Sequence, residues 1–144
     1  MAKPPFSTNC FDTFIRVAED CPAATGEAPP PRGGVATVAG LQYAMLAKAP
    51  YKYTSDDVIF ATSAPGRQLG AKATKQERKL AREAFFSRGQ ACMRASSLGK
   101  RFGWGVHADG KGRIAIYAVD DPRYQALAKN PELTQVRAMR TKRG

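Results

Sequence analysis

The sequence predicts an α+β domain in which two or three helices pack on a mostly antiparallel sheet of about four or five strands. Three observations predict it. Runs with a period of two and stripes with a period near 3.6 follow one another without a regular βαβ rhythm. Asp109-Gly110 separates two β-prone runs, as in an antiparallel hairpin. Thr74 and Glu77 form a capping box ahead of the apolar stripe Leu80, Ala81, Ala84 and Phe85, with Gly89 at the stop.

Taken in order, residues 1–9 read as a flexible N-terminus. Phe11 to Ala18 alternates Phe11, Thr13, Ile15 and Val17 with Asp12, Phe14 and Arg16, a strand with one well-buried and one mixed face. Glu19 to Gly34 is rich in proline and glycine and predicts a loop. From Thr37, the spacing of Val38, Leu41 and Met45 predicts an amphipathic helix ending at Pro50. Asp57 to Thr62, with Val58, Ile59 and Phe60 continuously apolar, predicts an interior strand. Ala64 to Ala73, broken by Pro65, Gly66 and Gly70, predicts a second loop before the Thr74 helix. Ala91 to Ala95 predicts a strand, and Ser96 to Gly103 a turn or single helical turn. Trp104 to Ala108 pairs with Arg113 to Val119 in the hairpin. Asp121 caps a last helix with Pro122 at its first position, running to Asn130-Pro131. Leu133 to Met139 predicts a closing strand, and Arg140 to Gly144 a basic tail.

Length and composition bound the architecture. A chain of 144 residues with 43% apolar content supports one domain, 1–144, with a single core. No apolar run approaches the roughly 20 residues needed to cross a bilayer, so no membrane association is expected. The start MAKPPFSTNC lacks the apolar stretch of a secretory signal, which predicts a cytoplasmic protein. Cys10, Cys21 and Cys92 form an odd set without CxxC spacing, consistent with a reducing compartment.

Charge is distributed unevenly. Residues 1–70 hold six basic and six acidic side chains, whereas the remainder holds 17 basic against 6 acidic, so the whole formal excess of +11 lies after Gly70. Such asymmetry points toward polyanions, although a basic surface also serves solubility alone. The Thr74 helix carries the pairs Lys75/Lys79 and Arg78/Arg82 four residues apart. Each like-charged pair costs about a few tenths of a kcal/mol in an isolated helix.

The segment Gln90 to Tyr117 concentrates the remaining chemistry. Arg94, Ser96, Ser97, Lys100 and Arg101 are placed at a strand end and the following turn, where hydroxyls and backbone N–H groups add to the cations in holding an oxyanion. Trp104 offers a stacking face or fills the core. A Cys92–His107 nucleophile pair is conceivable, but a small apolar cysteine and a hydrogen-bonded structural histidine are the simpler readings. With one histidine in the chain, no metal site is expected. Asp56-Asp57 reads as turn or capping residues. Gly99, Gly103, Gly105, Gly110 and Gly112 match neither the dinucleotide nor the phosphate-loop spacing, so no cofactor is implied.

The run GQACMRASSLGKRFGWGVH, with TFIRVAEDCP, PYKYTSDDVIF and VRAMRTKR, resembles a family of small uncharacterised bacterial proteins grouped as a domain of unknown function. The resemblance extends from about Thr13 to Arg143 and implies a single small bacterial domain; it carries no activity and no assigned catalytic residues.

Two functional classes follow. One is an anion- or nucleic-acid-binding module using Lys75, Arg78, Lys79, Arg82 and Trp104 together with the basic turn. The other is a small-molecule-binding protein or enzyme holding a phosphate or carboxylate near Arg94, Ser96, Lys100, Arg101 and His107. Whether any reaction is catalysed, and in what oligomeric state, does not follow from the sequence.

Overall fold

The structure, a computed structural model, describes residues 6–140. Its frame is the hairpin of β2 (Trp104–Ala108) and β3 (Ile114–Ala118), in register from Trp104 opposite Ala118 to Ala108 opposite Ile114. Asp109 makes the turn: its Oδ1 accepts from the N–H groups of Lys111 and Arg113 at 2.9 Å each, and Gly112 supplies a φ of +81°. On the other side of β2 lies β1 (Thr13–Arg16), antiparallel, and beyond it β4 (Thr134–Arg137), parallel to β1. The order is β3-β2-β1-β4, a four-stranded mixed sheet. The closing strand thus sits where the sequence predicts one, and it makes the only parallel pair among the described strands.

Both faces of the sheet are covered, which explains why β1 is buried on both sides. Ile15, Val106 and Val136 share one face and pack with Leu46, Val58, Met93 and Leu98 in the principal core. Phe14, fully buried, lies on the other face beneath Tyr124 of α6 (Pro122–Ala128), with ring centroids 5.0 Å apart. Gly105 permits this: a Cβ there would meet both rings below 3 Å. The Tyr124 hydroxyl then accepts from the Val17 N–H at 2.9 Å.

The described residues hold six α-helices, more than the two or three expected, within the α+β class. α1 (Val38–Lys48), α4 (Lys75–Phe85) and α6 coincide with the three sequence-predicted helices. α5 (Ser97–Lys100) is the single helical turn foreseen after Ser96. The additions have physical causes. The expected strand Asp57 to Thr62 is instead α2 (Ser55–Thr62), because Thr54 and Asp57 form a reciprocal capping box. A short helix surrounded by neighbours shows a continuous apolar run that periodicity cannot distinguish from an interior strand. The expected loop at Ala64 begins with α3 (Ala64–Gln68), whose Pro65 sits in the first turn, where its missing N–H costs nothing. Ser63 both ends α2, donating to the Phe60 carbonyl, and caps α3, accepting from the Gly66 N–H. The expected strand Ala91 to Ala95 is a 3-10 turn over Met93–Ala95 that drops Met93 into the core.

Part of the expected flexible N-terminus is fastened. Asp56, 8% exposed at the start of α2, accepts from the Ser7 hydroxyl at 2.7 Å and from the Thr8 N–H at 2.6 Å, and its own N–H donates to Asn9 Oδ1. Asp56 therefore serves as a structural anchor rather than a simple turn residue. Residues 1–5, and all of the expected basic tail except Arg140, lie outside the described residues.

Candidate functional site

α4 is held at its C-terminal end and open at the other. Phe85 meets Phe60 and Phe86 edge-on at 5.6 and 4.9 Å, and Phe86 is buried. Arg82 Nη1 lies 2.7 Å from Asp57 Oδ1, joining α4 to α2. Every residue from Lys75 to Leu80 is exposed, and no residue of α4 is fully buried. The capping box predicted from sequence is present, with Thr74 Oγ1 accepting from the Glu77 N–H at 3.0 Å.

Between α4 and the α2–α3 layer runs an open groove of about 680 Å³. Its cations are Lys75, Arg78, Lys79 and Arg82, the four that the sequence singles out on this helix, and its floor includes Met45, Tyr53 and Phe60. Asp57 is the single acid among the described residues of the lining. Burial opposes ionisation of Asp57, but the Thr54 N–H and the Arg82 guanidinium outweigh it and hold the carboxyl below the usual range. Arg78 Nη2 donates to the neutral Gly70 carbonyl at 2.9 Å, which orients the guanidinium without cancelling its charge. The groove can therefore hold an anion against an apolar and aromatic base.

The sequence-derived anion cluster is divided by the fold. Arg94 Nε donates to the Arg137 carbonyl at 2.8 Å, and Arg94 borders a 320 Å³ cavity with Cys10 and Cys92. Ser96, 8% exposed, donates to Gln42 Oε1 at 2.6 Å and caps α5 by accepting from the Leu98 N–H. It lines a different cavity of about 460 Å³, with Thr62 and Arg67. Ser97 lines that cavity and an adjoining one of about 430 Å³ that contains Arg32 and Arg101. Lys100, half-buried in the last turn of α5, borders none of these cavities. The fold thus unites Ser96 with Ser97 and Ser97 with Arg101 along shared cavity walls, and places Arg94 on a different one.

Trp104 is occupied internally. Its Nε1 donates to the Glu27 carbonyl at 2.8 Å, its ring lies 5.4 Å from that of Tyr43, and a Cβ on Gly26 would collide with the indole. His107 faces the opposite side of the sheet. Tyr51, at a φ of 60° that non-glycine residues rarely adopt, shares hydrogen bonds of 2.7 Å with His107 Nδ1 and with the Tyr117 hydroxyl. Burial lowers the His107 pKa, against the pull of Asp109 and Asp12. Cys92 lies with Ile15 and Val106, so the sheet itself separates thiol from imidazole. Burial, with Cys92 nearby, raises the Cys10 pKa. No cluster of three metal-binding side chains occurs among the described residues.

Several of these groups escaped sequence reasoning. Arg67 stands in a stretch read as a loop, Arg32 in a proline-rich loop, and Gln42 within an ordinary helical pattern. For the Tyr51–His107–Tyr117 chain no local signal exists, since Tyr51 lies 56 and 66 residues from its two partners in sequence.

A family model matches residues 6–144, and the chain belongs to that family, the family of unknown function DUF6157. No curated protein and no solved structure matches the chain.

Proposed function

We propose that this member of the family DUF6157 is a nucleic-acid-binding module whose contact surface is the α4 groove. One observation carries the reading: four cations of one exposed helix line a single groove that contains, among the described residues, one carboxylate and an aromatic floor. A strand of phosphates fits this arrangement, because Lys and Arg displace condensed counterions along a backbone while Tyr53 and Phe60 present an apolar base beneath it. An open groove also suits a chain that enters and leaves at its ends. Three free cysteines support a reducing cytoplasmic setting.

Fluorescence anisotropy with labelled single- and double-stranded oligonucleotides across a salt series tests the proposal. With three phosphate contacts on a single strand, Arg82 remaining on Asp57, affinity falls about 20-fold between 50 and 200 mM salt. Absence of binding at 50 mM, or binding indifferent to salt, refutes it.

A further inference from the structure

Apart from the α4 groove, two further cavities adjoin, and together they describe a second site. The first, about 460 Å³, has Arg67 in its wall and the buried trio Gln42, Thr62 and Ser96 in its floor. The second, about 430 Å³, contains Arg32 and Arg101. Val38, Ala39 and Ser97 line both, so the cavities adjoin as one trough, with Arg67 in one part and Arg32 and Arg101 in the other. Its combined volume is in the range of small-molecule sites, roughly 300–1,000 Å³.

The electrostatics of this trough differ from those around Arg78, Arg82, Arg94 and Arg123. Arg82 is paired with Asp57 and Arg123 with Asp121, while Arg78 and Arg94 are tied to carbonyls. The guanidiniums of Arg32, Arg67 and Arg101 have no protein partner among the described residues, and no Asp or Glu lines either cavity. The floor between them is neutral, polar and already ordered: Ser96 donates to Gln42 Oε1 at 2.6 Å, and Thr62 Oγ1 donates to the Val58 carbonyl at 2.8 Å. Unpaired, forked cations in two parts of an acid-free trough match a ligand with an anionic group at each end.

We infer that this trough binds an elongated small molecule bearing a carboxylate or phosphate at either end, Arg67 holding one terminus and Arg32 with Arg101 the other. The Ser96 and Ser97 side meets the uncharged middle, and Val38 and Ala39 supply apolar contact. The site is distinct from the α4 groove, with which it shares no lining residue.

Isothermal titration and thermal-shift measurements on the full chain test the inference. The probes are linear dicarboxylates of four to ten carbons, a sugar bisphosphate, and inorganic phosphate as the one-ended control. At least one two-ended probe is expected to bind at least tenfold more tightly than phosphate, with a preferred length. Arg67→Gln and Arg101→Gln, at exposed positions, are each expected to weaken it about tenfold, and the Lys75→Glu/Arg78→Glu double variant to leave it unchanged. The inference is overturned if no two-ended probe outbinds phosphate, if binding survives the Arg67→Gln/Arg101→Gln double variant, or if the α4 variant abolishes it. Oligonucleotide binding measured on the same variants reports separately on the α4 groove.

Discussion

The two grooves bordering α3 hold similar cations in different ways. In the α4 groove the charges ride on an exposed helix over an apolar floor, and one of them is clamped to a carboxylate. In the trough beneath α1 and α5 the arginines have no partner among the described residues, and the ordered element is a floor of neutral hydrogen bonds. The first arrangement tolerates many ligand shapes and depends on salt; the second restricts ligand length. A cation count alone would rank them together, whereas the position of Asp57 and the buried polar floor separate them.

The sharpest way to break this comparison is charge reversal on α4. Lys75→Glu/Arg78→Glu is expected to lower oligonucleotide affinity at 50 mM salt by about 50-fold and to reduce the salt slope by about two phosphate contacts. Anisotropy checks this, and an unchanged slope would place the contact surface elsewhere. Next in size, Ser96→Val leaves the buried Gln42 oxygen without its donor and exposes the α5 cap, with an expected cost of about 2 kcal/mol in denaturant unfolding. A neutral result would mean that the trough floor is not pre-ordered.

Asp57→Asn tests the clamp and is expected to cost about 1 kcal/mol by loosening both the α2 cap and the α4 tie. Because the folded-state pKa of Asp57 is depressed, its contribution is complete above the ordinary carboxylate pKa and disappears as pH falls through the folded value. Urea titrations between pH 6 and pH 3 should therefore show a shallower loss in Asp57→Asn than in wild type. The smallest effect belongs to Lys75→Ala, at an exposed position, which should change stability by less than about 0.5 kcal/mol while still weakening oligonucleotide binding.

Legibility in the sequence followed the range of the interaction. The capping box at Thr74, the Asp109-Gly110 turn and the Asp121-Pro122 helix start were readable because each is completed within a few residues. α2 reads as a strand in the sequence because neighbours on several sides make its apolar run continuous, although Thr54 and Asp57 hold the signal that identifies it. In the candidate sites, the cations of α4 could be grouped by helical spacing alone. Arg32, Arg67 and Arg101 could not, since a proline-rich loop, a five-residue helix and the end of α5 bring them to one trough.

By itself the sequence determined the α+β class, the hairpin, three of the helices and the one-sided charge, because propensity, capping and turn chemistry act over distances the chain spans locally. Only the tertiary structure decided that β4 pairs parallel with β1, that the sheet parts Cys92 from His107, and that Asp57 is the one acid among the described residues of the α4 groove. Those outcomes depend on which distant surfaces bury one another, and burial is a property of the assembled core rather than of any local run of residues.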